Sequence, residues 1–206
     1  MDNHLPNWNV LLIGGSSGTG KSSAAKAIAH QLGVECGQLD DFRLVLEDIT
    51  TPAQQPALHL LNNAQLADTL SSEDMCQKLV AVAQVMSKAI ESVIAHHVAT
   101  EQAFILEGDG LLPGLATQKR YSNLDVRPKQ VRFVLLYEPN ETAILDNMKG
   151  RKRGIDQRPE ALQRKQARAA WLYGEWLRSE ALRYKVPIIE PVPWQTLNER
   201  IIDAIT

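Results

Sequence analysis

Short runs of consecutive apolar residues alternate along this chain with longer stretches whose apolar positions recur every three or four residues. That alternation predicts strands and helices in turn, and hence a parallel α/β sheet. Val10-Leu11-Leu12-Ile13 is apolar without interruption and stops at Gly14-Gly15, as a strand buried on both faces does. From Lys21 to Leu32, Ala24, Ala25, Ile28, Ala29 and Leu32 share a helical face, and Gly33 fits the residue just past the helix end. Further strands are predicted over Val34 to Leu39, Ala103 to Leu106 (ending at Glu107-Gly108), Val131 to Tyr137 and Pro187 to Glu190. Residues 40–100 read as mostly helical, with breaks at Thr51-Pro52-Ala53-Gln54-Gln55-Pro56 and at Ser71-Ser72-Glu73. Beyond the second break Leu79, Val82, Ala83, Met86, Ile90 and Ile94 sustain one long helix, with Ser71 or Ser72 as its N-cap. Ser72, with Met75 three residues on, makes no capping box. Helices follow from about Glu141 to Lys149, from Pro159 as first residue to about Tyr184, and through Leu197, Ile201, Ile202 and Ile205.

Composition changes this picture little. A length of 206 residues suits one domain with a full central sheet, and 44% hydrophobic with 22% charged residues is ordinary for a globular chain. The net charge of −2 carries no footprint of a nucleic-acid or membrane-surface binder. Cys36 and Cys76 lack metal-ligand spacing and read as free thiols. The first ten residues lack the basic and apolar regions of a signal peptide, and no window approaches the ~20 apolar residues of a membrane span. The cytoplasm is the expected compartment.

The chemistry begins at Gly15-Ser16-Ser17-Gly18-Thr19-Gly20-Lys21-Ser22, which matches G-x-x-x-x-G-K-[ST] at every fixed position, with Ser23 completing the loop. Gly15, Gly18 and Gly20 can take positive φ, so consecutive N–H groups can point inward at a phosphate. The following helix sets its positive end against the same anion. Lys21 would bridge the β- and γ-phosphates of ATP, and Ser22 would hold Mg²⁺ through its hydroxyl. A fortuitous glycine turn would lack what this match has, an apolar strand before it and an amphipathic helix after it.

The loop alone does not separate kinases from GTPases and motors. No N/T-K-x-D guanine signature follows a late strand, and the third strand ends Leu106-Glu107-Gly108-Asp109 rather than in adjacent Asp-Glu. The second strand ends Gln38-Leu39-Asp40-Asp41-Phe42-Arg43, and ligands gather at the C-terminal ends of parallel strands. One of the two aspartates can take the proton of an acceptor hydroxyl while the other holds Mg²⁺ through water. The plainer alternative, an N-cap for the next helix, needs only one of them.

With these residues in view, the loop at 14–23, Leu39-Asp40-Asp41-Phe42-Arg43 and Ile105-Leu106-Glu107-Gly108 with Leu112-Pro113-Gly114 together resemble one group of proteins. These are the P-loop small-molecule kinases related to 2-phosphoglycerate kinase, chloramphenicol phosphotransferase and the zeta-toxin kinases. The resemblance covers most of the first 115 residues. It implies Asp40 as catalytic base, Glu107 as a substrate- or metal-facing carboxylate and Arg43 as a contact for an anionic group on the acceptor. Asp41 departs from a frequent serine, and the 50–72 stretch has no counterpart. Both departures fall on the acceptor side.

Lys149, Arg151, Lys152, Arg153 and Arg158 lie where such kinases carry a lid, with Gly150 and Gly154 as candidate hinges. Arginine's planar donors suit the charge of a transferring phosphoryl group. A solvated basic turn at a helix C-terminus is the alternative. Arg164 and Arg168 either reach the cleft or pair with acids such as Glu160; Trp171, Tyr173 and Trp176 read as packing, and Trp194 stands where adenine lies in this architecture. The expectation is a single P-loop domain over 1–206, a three-layer sandwich with a parallel five-stranded sheet in order 2-3-1-4-5 and helices on both faces. ATP and Mg²⁺ bind at 15–23 with Arg151. Asp40, Lys21 and Arg153 are catalytic, Ser22 and Asp40 hold the metal, and Asp41, Arg43 and Glu107 bind the acceptor. The acceptor region spans about 40–100 and the lid about 149–159. The sequence predicts transfer of the γ-phosphate to a small-molecule hydroxyl, without nucleic acid or membrane. The rivals are a nucleotide-gated regulatory protein and a nucleoside or nucleotide kinase. Oligomeric state and the acceptor itself are not legible.

Overall fold

A computed structural model describes residues 6–59, 69–151 and 155–206. Seven helices are labelled here in chain order: α1 (Lys21–Leu32), α2 (Leu39–Ile49), α3 (Pro56–His59), α4 (Ser72–Ala99), α5 (Glu141–Gly150), α6 (Glu160–Tyr184) and α7 (Leu197–Ile205). The strands are β1 (Val10–Gly15), β2 (Glu35–Gln38), β3 (Phe104–Gly108), β4 (Arg120–Tyr121), β5 (Leu124–Asp125), β6 (Val131–Leu136) and β7 (Ile188–Ile189). The main sheet runs β2-β3-β1-β6-β7 and every pairing in it is parallel. With the small β4–β5 hairpin set aside, this is the expected order 2-3-1-4-5.

The period-two geometry of a strand explains why the central runs are apolar throughout. Val10 and Leu12 of β1 enter one core with Leu106, Phe133, Met86 and Ile90, beneath α4 and α6. Leu11 and Ile13 enter the other with Ala25, Ile28, Ile105, Val134 and Ile201, beneath α1 and α7. Each fully buried Leu or Ile contributes about 1.5–3 kcal/mol, so the two faces hold β1 between them from both sides.

Several local expectations are refined. α4 does begin with a capping box, formed by Ser71 and Asp74 rather than by Ser72. Pro159 is the N-cap of α6 rather than its first residue. Against expectation, α4 is long and apolar enough to cross a membrane by length and composition. Its Met75, Val82, Met86, Ile90 and Ile94 are buried, as in a helix packed on a sheet. Leu112-Pro113-Gly114 opens a 3₁₀ turn, Pro113–Thr117, in which Pro113 and Leu115 are buried. Residues 60–68, inside the expected acceptor region, and Lys152, Arg153 and Gly154 of the expected lid lie outside the described residues.

Candidate active site

The site forms where β1, β2 and β3 end. β1 and β3 are in register with Ile13 opposite Glu107 and Gly14 opposite Gly108, so the segment after β3 faces the loop after β1. The loop has the predicted backbone: Gly15, Gly18 and Gly20 have φ of 147°, 93° and 84°. Gly20 is required twice over, by its left-handed φ and because any side chain there would strike the Trp194 ring. Lys21 is 2% exposed. Its Nζ donates to the Ser16 carbonyl oxygen at 2.8 Å, and Thr19 Oγ1 donates to the same oxygen at 2.9 Å. The Asn147 amide of α5 donates to the Gly18 carbonyl oxygen at 2.9 Å, tying the loop to the helix that precedes the lid.

Two carboxylates meet the loop from β3. Glu107, 5% exposed, accepts a hydrogen bond from Ser22 Oγ at 2.7 Å. Asp109 pairs with Lys21 Nζ at 2.5 Å and accepts from Ser17 Oγ at 2.6 Å. Burial alone would raise the Asp109 pKa. The Lys21 ammonium, hydrogen bonds from Lys21 and Ser17, and the Arg151 charge outweigh burial and hold it below the ordinary carboxylate value. The side chain keeps 36% of its surface open to the cleft. Tyr173 donates its hydroxyl to the Asp109 carbonyl oxygen at 2.6 Å. Burial, followed by the Asp109 charge, pushes the phenol well up and keeps it a donor.

A small cavity of about 40 Å³ brings together Ser17, Lys21, Ser22, Asp40, Glu107, Asp109 and Arg151. Asp40 therefore lines the same cavity as Lys21 and Ser22, whereas exposed Asp41 is not part of that lining. Arg43 is directed along its own helix, with Nη1 2.5 Å from Glu47 Oε1 and Nε 3.6 Å from Asp40 Oδ1. A second cavity, about 390 Å³, extends from Gly18, Gly20, Ser22 and Ser23 to Lys26, Asn147, Arg151 and Trp194. A third, about 190 Å³, joins Ser17 to Arg151 and Arg158. Arg151 lines all three, and so stands where a lid arginine is expected. Arg164 and Arg168 pair instead with surface acids, Glu160 at 2.7 Å and Glu141 at 3.2 Å. A wider apolar cleft of about 610 Å³ between α2, α3 and α4 includes none of Asp40, Asp41, Arg43 or Glu107.

The donor set suits a hard cation. Ser22, Glu107 and Asp40 offer oxygen ligands only, as Mg²⁺ prefers. Among the described residues no three His, Cys, Asp or Glu side chains form a metal cluster, so such an ion would lean on phosphate oxygens and water. Sequence reasoning missed Asp109, Asn147 and the hydroxyl of Tyr173 as parts of the site. For Asp109 a signal existed: it is the residue after Glu107-Gly108, just past the end of the strand expected beside β1.

No family model matches the chain. Its fold is that of the P-loop kinases. A sugar kinase from Janibacter sp. HTCC2649 superposes with a TM-score of 0.55 at 20% identity, covering 97% of this chain and 95% of that one. Shikimate kinase from Acinetobacter baumannii, solved with shikimate, gives 0.50 at 17% identity over 97% and 93%. Among curated proteins, the chain is 26% identical over 203 residues to the 2-phosphoglycerate kinase of Methanocaldococcus jannaschii, covering 96% of this chain and 63% of that protein. The 2-phosphoglycerate kinase of Pyrococcus furiosus is 24% identical over 206 residues, covering 95% and 63%. The chain thus spans 63% of the length of these two relatives. The resemblance read from the motifs agrees with these likenesses: the chain is similar to 2-phosphoglycerate kinases, and its fold is that of P-loop kinases.

Proposed function

We propose that the chain is an ATP-dependent phosphotransferase that moves the γ-phosphate to a hydroxyl of a small-molecule acceptor. The observation that carries this reading is the convergence of Lys21, Ser22, Asp40 and Glu107 on one cleft at the strand ends. A binding protein needs the loop. It does not need a carboxylate facing the loop from the opposite wall.

In this reading the N–H groups of residues 15–23 and the start of α1 cradle the phosphates, and Lys21 bridges their β and γ oxygens. The 390 Å³ cavity takes the rest of the nucleotide, with Trp194 beside the base. Ser22, Asp40 and Glu107 would hold Mg²⁺, which when bound neutralises phosphate charge. Asp40 accepts the acceptor's proton, and its proximity to Lys21 and Ser22 favours it over Asp41 as base. Arg151 closes over the transferring group, and Arg153 remains a candidate for the same work. Arg43 and Asp41 face the acceptor, Arg43 by leaving Glu47 for an anionic group. The relatives' names favour a phosphorylated or carboxylated hydroxy acid as acceptor. The chain would act as one domain, with acceptor region and lid as expected, and without nucleic acid or membrane. Cys36 and Cys76 are free, and burial, reinforced by Glu107 and Glu73 respectively, pushes their thiols up; the cytoplasm is the proposed compartment.

The test is ADP release from Mg-ATP with 2-phosphoglycerate, glycerate, shikimate, gluconate and nucleosides, each against an acceptor-free background. Stimulation by a hydroxy acid is expected. ATP binding with no stimulation by any acceptor would favour the regulatory reading, and stimulation by nucleosides alone would redirect the acceptor class.

A further inference from the structure

Asp109 has no part in the reaction proposed above, yet its carboxylate takes both Lys21 Nζ, at 2.5 Å, and Ser17 Oγ, at 2.6 Å. Its direction is imposed by the fold. Tyr173 holds the Asp109 carbonyl at 2.6 Å, and Ser87 Oγ donates to the next carbonyl, that of Gly110, at 3.2 Å. With the backbone fixed on both sides, the side chain is aimed into the loop. The cavity left there is about 40 Å³. That is room for a few waters, against ~300 Å³ or more for a ligand pocket. The adjoining nucleotide cavity, about 390 Å³, has no such obstruction.

We propose that Asp109 is an internal anion that occupies the phosphate loop of the nucleotide-free protein and must be displaced by the nucleotide's phosphates. The inference rests on the reading that this loop binds a nucleotide. A charge-assisted pair keeps Lys21 and Ser17 in place while the loop is empty. A carboxylate and a phosphate chain cannot share one ammonium at that range without like-charge repulsion, so one excludes the other. Arg151 lines the same cavity and offers the released carboxylate a second cation. The contact is therefore autoinhibitory. It preserves the shape of the loop and weakens apparent affinity by the fraction of molecules in which Asp109 is seated. A seated population ten times the open one corresponds to about a tenfold weaker Kd.

Calorimetric titration of wild type and Asp109→Asn with Mg-ATP, and separately with inorganic tripolyphosphate, tests this. The amide keeps the size of the side chain and removes its charge. Tighter binding of both ligands by the variant, on the order of tenfold, is expected, together with a lower melting temperature of the nucleotide-free protein. The gain should be equal for the two ligands because it arises at the phosphates. Equal or weaker binding by the variant, with wild type binding intact, overturns the proposal. Failure of both proteins to bind either ligand sinks the nucleotide-site reading instead, and the inference with it. Should Asp109→Asn not fold, Ser17→Ala removes one of the two anchors of the carboxylate while leaving the loop's backbone donors. It should tighten binding by a smaller factor, and unchanged or weaker binding by it would equally refute the idea.

Discussion

The two walls of the cleft are built differently. On the proposed nucleotide wall Lys21 and Glu107 are nearly sealed from solvent, and Ser16, Ser17, Thr19, Ser22 and Asp109 are all joined by hydrogen bonds or ion pairs. On the proposed acceptor wall the Asp40 side chain is 59% exposed, Asp41 is open, and Leu44, Val45 and Ile49 of the same helix face solvent. Arg43, the half-buried cation of that wall, is taken up by Glu47. The first wall is shaped by the strands behind it and keeps its shape before any ligand arrives. The second is a helix whose one buried residue is Leu39, with Phe42 and Leu46 packed only partly against the core. In the proposed function its final geometry is left to the acceptor. Preorganisation in the proposed function is thus spent on the phosphates, whose chemistry never varies.

If that contrast is right, the nucleotide wall should fail hardest. Lys21→Ala should reduce phosphotransfer by on the order of a thousandfold or more in a steady-state ADP-release assay. The variant also leaves Asp109 as an uncompensated anion at the mouth of the loop. Residual transfer within tenfold of wild type would remove Lys21 from its assigned place. On the acceptor wall the two aspartates should part company. Asp40→Asn should lower kcat by roughly a hundredfold or more while ATP affinity stays within about threefold, and Asp41→Asn should cost far less. Equal effects of the two, measured side by side, would erase the distinction drawn from the cavity. The smallest effects are on stability. Tyr173→Phe leaves the part-buried Asp109 carbonyl without its donor and should cost about 1–3 kcal/mol in denaturant unfolding. Ile49→Ser, on the open helix, should stay within about 0.5 kcal/mol. A reversal of that order would mean that the acceptor wall is the packed one.

Much of the nucleotide wall was legible because its information is local. An apolar strand, a glycine-rich turn and a lysine at the head of a helix specify a phosphate loop within a dozen residues, and the sheet order follows from parallel crossovers. Asp109 stands two positions after Glu107, in no motif of its own. Its significance comes from the pairing of β3 with β1, which brings residues some 90 positions apart to one point. Asn147 gave no signal, since an amide on a helix is ordinary until the Gly18 carbonyl is found beside it. Tyr173 was read as packing. It is that, at 1% exposure, but its hydroxyl needs a partner in the core and finds the segment after β3. The capping box at Ser71 was overlooked because aspartate, not glutamate, closes it. The β4–β5 hairpin, two residues a side, is too short to leave a hydrophobic pattern.

α6 links these parts in a mechanical sense. Its 25 residues make a rod roughly 37 Å long. Near its front end Gln163 holds the Arg158 carbonyl at 2.7 Å, beside the lid. Midway, Gly174 lies so close to Ser16 that an added methyl would sit 3.1 Å from its Oγ, and Tyr173 grips the Asp109 backbone. At the rear Tyr184 rests against Gly114 of the Pro113–Thr117 turn. A stiff beam pinned at lid, loop and turn cannot tilt at one bearing without loading the other two. Closure over a phosphoryl group and the seating of the residue that guards the empty loop would then be felt along a single axis.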